Sequence, residues 1–265
     1  MNPKDDTKKS EASIDNQHRY AVLSKASYDY YKYGLDKAQK ELGNYSQTKD
    51  YRIDPKLSNK NAVVLEKDNQ VVVSYRGTDL TNPSDILADA EILLGRDKIK
   101  VFLNDRFDEA DSLYNKVKAE YPDKEIVLTG HSLGSAEAIY VGTKNDTRSI
   151  SFNEGTSPLD ALFSWGGNPE ANKKQTVYIT GKDIVSNLSI LEPYDIKFVS
   201  AKNDLNFLSH SLNYFLPEKE GPVPDYLQPV PKYTYKPKKH ISTNQDFYGI
   251  DYFKDLAKKS SVLAR

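Results

Sequence analysis

The stretch Ile126-Val127-Leu128-Thr129-Gly130-His131-Ser132-Leu133-Gly134-Ser135 constrains this chain more than any other. A short, β-branched apolar run feeds directly into Gly-x-Ser-x-Gly, and small, helix-compatible residues follow. The pattern predicts a strand, a sharp turn carrying a serine, and a helix: a nucleophile elbow. Glycines flank the serine because so tight a turn leaves no room for Cβ atoms beside it. The hydroxyl then stands above the sheet, with the N-terminus of the next helix aimed at it. A bare Gly-x-Ser-x-Gly occurs by chance in many proteins. The strand before it and the helix after it give it weight.

The rest of the chain must supply a sheet for that turn. With 265 residues it is long enough for one large α/β domain with a full core. A net charge of −1 gives no global reason to expect nucleic acid as a partner. There is no cysteine, which excludes disulfides, thiol nucleophiles and thiolate metal sites. The four histidines are too scattered to suggest a metal cluster, and no metal or cofactor is expected. Met1 to Asp15 is charged and has no apolar core, so it reads as a disordered leader rather than a signal peptide. No later stretch is apolar enough to cross a bilayer, which makes the cytoplasm the default expectation.

Periodicity supplies further elements. Tyr20, Leu23, Ala26 and Tyr30 recur at helical spacing between about Asn16 and Tyr33, and Gly34 closes the pattern. Ala62 to Lys67 and Gln70 to Arg76 read as strands around a tight Asp68-Asn69 turn. Leu103, Phe107, Ala110, Leu113 and Val117 have helical spacing, with Pro122 just past the end. Ser149 to Asn153 and Thr176 to Thr180 are strand candidates after the elbow. Such alternation argues for a mostly parallel sheet with helices on both faces.

An elbow that hydrolyses an acyl group needs an oxyanion hole, a histidine and an acid. One oxyanion donor is expected to be the backbone N–H of Leu133, directly after the nucleophile. The other must come from a loop ending an earlier strand. Val72 to Asp79 is the source to expect, with Thr78 offering a backbone N–H and a hydroxyl.

At this point the chain resembles the class 3 lipases, lipases and phospholipases with the α/β-hydrolase fold. Four stretches carry the resemblance, in the right order. Tyr75-Arg76-Gly77-Thr78 is similar to the family's oxyanion loop, and Ser84 to Asp89 to the segment that follows it. Gly130 to Gly134 is similar to its elbow, including the His-Ser-Leu centre, and Thr180 to Val185 to its acid loop. The resemblance implies an α/β-hydrolase fold and carboxylic ester hydrolysis. By its chain order of serine, aspartate and histidine, it implies Asp183 as the acid and a histidine further on. His210 and His240 both qualify by position. His210, in Ser209-His210-Ser211-Leu212-Asn213-Tyr214, is similar to the family context, whereas His240 follows a basic, proline-rich run. Glu154, Asp160, Asp195 and Asp204 compete as acids. Asp183 is preferred because it directly follows a strand candidate. His131 reads as a packing and hydrogen-bonding residue. Ser135 stands where the family often has a second glycine, and Glu137 occupies a position often apolar, where a carboxylate needs a partner or water.

Two regions stay open. Between Asp79 and Asp97, Ile86, Leu87, Ile92, Leu93 and Leu94 fit either a lid over the serine, spanning Thr81 to Leu94, or ordinary core. Pro217 to Lys239 is proline-rich and reads as an extended strap, or as an arm whose lysines meet anionic lipid. A last helix is expected from about Asn244 to Lys258. The expected organisation is a leader over 1–15, a catalytic domain over 16–216, and a strap with helix over 217–265 packed on that domain. The expected activity is cleavage of lipid acyl esters, triacylglycerol or phospholipid, through an acyl-enzyme on Ser132 with His210, Asp183, Thr78 and Leu133. The partner is then a lipid or ester, with transient contact to a membrane surface; the oligomeric state is open. An inactive hydrolase-fold binding module, or an acyltransferase or peptidase using the same triad, are the alternatives.

Overall fold

A computed structural model of the chain describes residues 3–77, 95–154, 169–180, 195–199 and 211–217, all within one compact unit spanning Met1–Tyr235. Among the described residues seven strands form one sheet in the order of the chain. They are β1 (Arg52–Asp54), β2 (Ala62–Lys67), β3 (Gln70–Tyr75), β4 (Glu125–Ser132), β5 (Ser149–Glu154), β6 (Gln175–Thr180) and β7 (Asp195–Val199). The first three pair antiparallel, and from β3 to β7 every pairing is parallel. The β2–β3 hairpin turns at Asp68-Asn69 as expected, with Asp68 in the left-handed region at φ 49°.

The strands are apolar on both faces because both faces are covered. Alternation divides one continuous run between two cores. Val63, Leu65, Val72, Val127, Ile150 and Phe152 face one side. Ala62, Val64, Val71, Val73, Tyr75 and Leu128 face the other. Strand order equal to chain order has a consequence for the layers. Crossovers of a single hand between successive parallel strands stack their helices on one face. Accordingly α3 (Gly95–Glu120), between β3 and β4, and α4 (Leu133–Lys144), between β4 and β5, share the second core. A short α5 (Pro169–Asn172) precedes β6. The first face is left to segments from outside the crossovers. It is covered by α1 (Pro3–Tyr33), α2 (Leu35–Leu42) and a 3-10 turn (Leu212–Phe215). Helices on both faces were expected; the origin of each layer follows from the strand order.

On α1, Tyr20, Leu23 and Ala26 are buried as their spacing predicted, and Gly34 ends the helix at φ 80°. The helix begins at Pro3, well before the expected start near Asn16, so the leader takes helical backbone where a structureless segment was expected. Proline suits the first helical position, and lysine, glutamate and alanine have good helix propensity. No apolar stripe was needed, and a reading based on periodicity misses such a segment. Likewise α3 reaches back to Gly95, and β3 stops at Tyr75, one residue short of Arg76. Among the described residues no helix is long and apolar enough to cross a membrane. The segment Thr81 to Leu94, the arm of Pro217 to Lys239 beyond Pro217 itself, and the helix expected from Asn244 lie outside the described residues.

Candidate active site

Five parallel strands end along one edge of the sheet, and β4 breaks there into α4. Ser132 is the junction, with φ 57° and ψ −128°, a backbone conformation that L-residues rarely adopt. It occupies the N-cap position of α4, yet its side chain makes no capping hydrogen bond, so the hydroxyl is not consumed by the helix. The residue is half-buried. The flanking glycines have steric reasons. A Cβ on Gly130 would meet the Gly134 carbonyl, and a Cβ on Gly134 would meet the backbone of Tyr75 and Arg76. Neither obstacle is a side chain that could swing away. Leu133 is the first residue of α4, where backbone N–H groups lack intrahelical acceptors. Its N–H therefore points out of the helix terminus beside Ser132.

The end of β3 is pressed against this turn. A Cβ at Gly77 would lie 2.5 Å from the His131 carbonyl and 3.1 Å from Ser132 Cβ, and would also strike the Tyr28 hydroxyl. Arg76 makes that corner. Its Nε donates to the Lys60 carbonyl at 2.8 Å, its Nη1 donates to the Gly77 carbonyl at 3.0 Å, and Tyr31 stacks 4.0 Å beneath the guanidinium. Arginine before the glycine is thus a folding residue of this corner. His131 is buried, with Nδ1 hydrogen-bonded to the Tyr28 hydroxyl at 3.0 Å and the two rings in edge contact. It fastens α1 to the elbow, the packing role expected of it.

Glu137 has found a partner that nothing in its own neighbourhood foretold. Arg106 of α3 places Nε 2.8 Å from Oε1, and its Nη2 donates to Oε2 at 3.1 Å. The carboxylate is 1% exposed and the guanidinium-bearing side chain 8%. Burial pushes the Glu137 carboxyl up to about 7 despite the nearby Arg106 and Arg76 charges. Arg106 Nη2 also donates to the Arg76 carbonyl at 2.6 Å. Tyr28 and Arg106 went unnoticed in the sequence, because contacts across 103 and 31 residues leave no local pattern.

Of the other expected site residues, Thr78, Asp183 and His210 lie outside the described residues, as do the competing Asp160 and Asp204. Their neighbours are described. Thr180 closes β6 at the elbow's edge of the sheet, and its N–H donates to Asn153 Oδ1 at 2.9 Å. After His210, Ser211 caps the 3-10 turn by accepting from the Asn213 N–H, and Leu212 and Phe215 anchor that turn in the core. Asp195 is ruled out as the acid. It begins β7 opposite Thr176, at the far end of the parallel strands, and pairs with Lys197 at 3.4 Å. Four residues of strand run, about 13 Å, separate it from the edge where the elbow lies. Glu154 does reach that edge; it is the register partner of Ser132 and is buried.

Residues 72–151, from β3 through the elbow to β5, match the family model of lipase (class 3). That stretch is similar to the class 3 lipases. The match covers the end of β3 and the elbow together, and supports a carboxylic ester hydrolase. No curated sequence matches this chain. Among solved structures, this chain is similar to a lipase from Rhizopus microsporus var. chinensis, at 16% identity over 73% of this chain and 77% of that one, with a TM-score of 0.46. It is similar to lipase II from Rhizopus niveus at 17% identity over 74% and 83% of the two chains, with a TM-score of 0.46. For the Rhizomucor miehei triacylglyceride lipase the figures are 15%, 75%, 93% and 0.44. The likeness to the family model is confined to residues 72–151.

Proposed function

We propose that this protein hydrolyses the acyl esters of lipids, triacylglycerol or phospholipid, with Ser132 as nucleophile, His210 as general base and Asp183 as its acid partner. The observation that carries the reading is the backbone of Ser132. A non-glycine residue held at φ 57° on a strand-to-helix turn, with Gly77 packed close to its Cβ, is strain kept where the hydroxyl is presented.

A serine hydroxyl is a weak nucleophile until a base removes its proton. In this proposal His210 takes the proton as Oγ attacks the ester carbonyl, and Asp183 stabilises the imidazolium. The N–H groups of Leu133 and Thr78, with the Thr78 hydroxyl, meet the developing oxyanion. Collapse of the tetrahedral intermediate breaks the carbon–oxygen bond and returns the proton to the departing alcohol. Water, activated by the same histidine, then releases the acid from the acyl-enzyme.

The test is hydrolysis of a panel of triacylglycerols, phospholipids and a soluble p-nitrophenyl ester, with fluorophosphonate labelling alongside. Ser132→Ala is expected to lose at least about a thousandfold in turnover and all labelling. His210→Ala is expected to abolish labelling and His240→Ala to spare it. A Ser132→Ala protein retaining a tenth of wild-type turnover would remove the serine from the mechanism.

A further inference from the structure

Beyond Arg76, β3 has lost its neighbour. The last β3–β4 pair is Tyr75 with Gly130, and two residues later β4 has become the elbow. The Arg76 N–H is satisfied by the Asn61 carbonyl at 2.8 Å, and among the described residues the β3–β4 ladder does not continue past Tyr75. The Arg106 guanidinium meets the Arg76 carbonyl, donating Nη2 to it at 2.6 Å. Arg106 is itself paired with Glu137 on α4, donating Nη2 to Oε2 while Nε lies at ion-pair distance from Oε1. One buried ion pair therefore ties three things together: the end of β3 that leads into Gly77, the helix α3, and the helix that carries the nucleophile. Beside the pair lies a cavity of about 10 Å³ lined by Tyr75, Glu109, Ala110 and Leu113, about one water in size. The contact is otherwise closed to solvent.

We infer that Arg106 is a positioning residue of the corner that leads into the proposed oxyanion loop, and that Glu137 anchors it, so that the pair sets the distance between Ser132 and the Arg76-Gly77 backbone. The inference rests on the hydrolase reading above for its catalytic consequence, and on the observed contacts for its structural one. A buried ion pair is a poor choice for stability alone, since well-packed apolar residues of similar volume often serve as well or better. Those replacements cannot donate a hydrogen bond to the Arg76 carbonyl. Catalysis depends on donors placed for the transition state, where a misplacement of about 1 Å can lower the rate about a hundredfold. The loss belongs in kcat, because the ground-state ester is not held by the oxyanion donors.

The experiment compares wild type, Arg106→Lys and the double variant Arg106→Met/Glu137→Leu, using p-nitrophenyl butyrate. Three quantities are read: kcat and KM, the thermal midpoint, and hydrogen exchange at the Arg76 and Gly77 amides. The double variant is expected to melt near wild type, to lose about ten- to a hundredfold in kcat with KM within about twofold, and to exchange the Arg76 amide faster. Arg106→Lys keeps the charge but cannot reach both acceptors with a fork, and is expected to show the same kcat loss in smaller degree. If the double variant does not fold, Arg106→Lys carries the same three readouts. A folded variant with wild-type kcat and unchanged exchange overturns the inference. A wild type that hydrolyses no ester and takes no fluorophosphonate defeats the hydrolase reading instead. The exchange data then decide the positioning role alone: faster exchange in the variants upholds it, and unchanged exchange ends it.

Discussion

Ser132 is held by its neighbours in a conformation that it would not choose. Residues forced into sparsely populated backbone regions cost about 1–3 kcal/mol each, and the surrounding turn must over-determine them. Replacing the serine by glycine removes that strain along with the hydroxyl. Ser132→Gly is therefore expected to be more stable than wild type by up to about 1–2 kcal/mol in urea unfolding, while losing fluorophosphonate labelling completely. A lower midpoint would show that the elbow is relaxed. Gly134 makes the opposite case. Its missing Cβ leaves the space in which the Tyr75 carbonyl lies, and backbone cannot rotate out of the way. Gly134→Ala should cost about 1–3 kcal/mol, read in the same unfolding experiment, as overpacked core sites do. Both glycine positions were legible in the sequence, because the elbow is defined within five consecutive residues.

At the scale of elements, the ends of β5 and β6 are joined by a side chain rather than by the ladder. Asn153 sits at φ 39°, which asparagine tolerates better than most residues, and its Oδ1 accepts from the buried Thr180 N–H. Thr180 is the last residue of β6 before the segment that contains Asp183. Asn153→Ala removes that acceptor from the buried Thr180 N–H, for which about 1–3 kcal/mol of destabilisation is expected by chemical denaturation. A loss below about 0.5 kcal/mol would mean that water replaces the amide. The strands around this contact were foreseen to within a residue, since their apolar, β-branched runs are bounded by turn residues. The three-residue β1 was not foreseen, because Ile53 is its only apolar member and no alternation can be read from it. Nor was β7, a five-residue strand whose Asp195 instead stood among the candidate acids.

For the whole molecule, the buried carboxyl of Glu137 couples folding to pH. Burial raises it from 4.5 to about 7 in the folded chain, against Arg106, while Glu109 on the same helix adds to the rise and Arg76 and Tyr75 line the strand side. The folded state then holds the proton more tightly than the unfolded state. The contribution of this group to stability is full below about pH 4.5 and is lost as pH rises through about 7. Glu137→Gln cannot titrate. The difference in unfolding free energy, wild type minus Glu137→Gln, is expected to fall between about pH 5 and pH 7.5, measured by urea unfolding at fixed salt. A difference that rises over that interval would mean that Arg106 outweighs burial and holds the carboxyl down.

The sequence alone determined whatever depends on a few consecutive residues. The strand, elbow and helix around Ser132, the β2–β3 hairpin and the apolar stripe of α1 belong here, since backbone sterics and short-range periodicity decide them. Tertiary structure decided which distant groups meet. It brought Tyr28 to His131 and Arg106 to Glu137 and the Arg76 carbonyl, and it carried Asp195 to the wrong end of the sheet. No local rule specifies such partners. A charged residue at the surface and one destined for a buried pair look alike in sequence, and only the packing of α3 against α4 and the end of β3 makes Arg106 the latter.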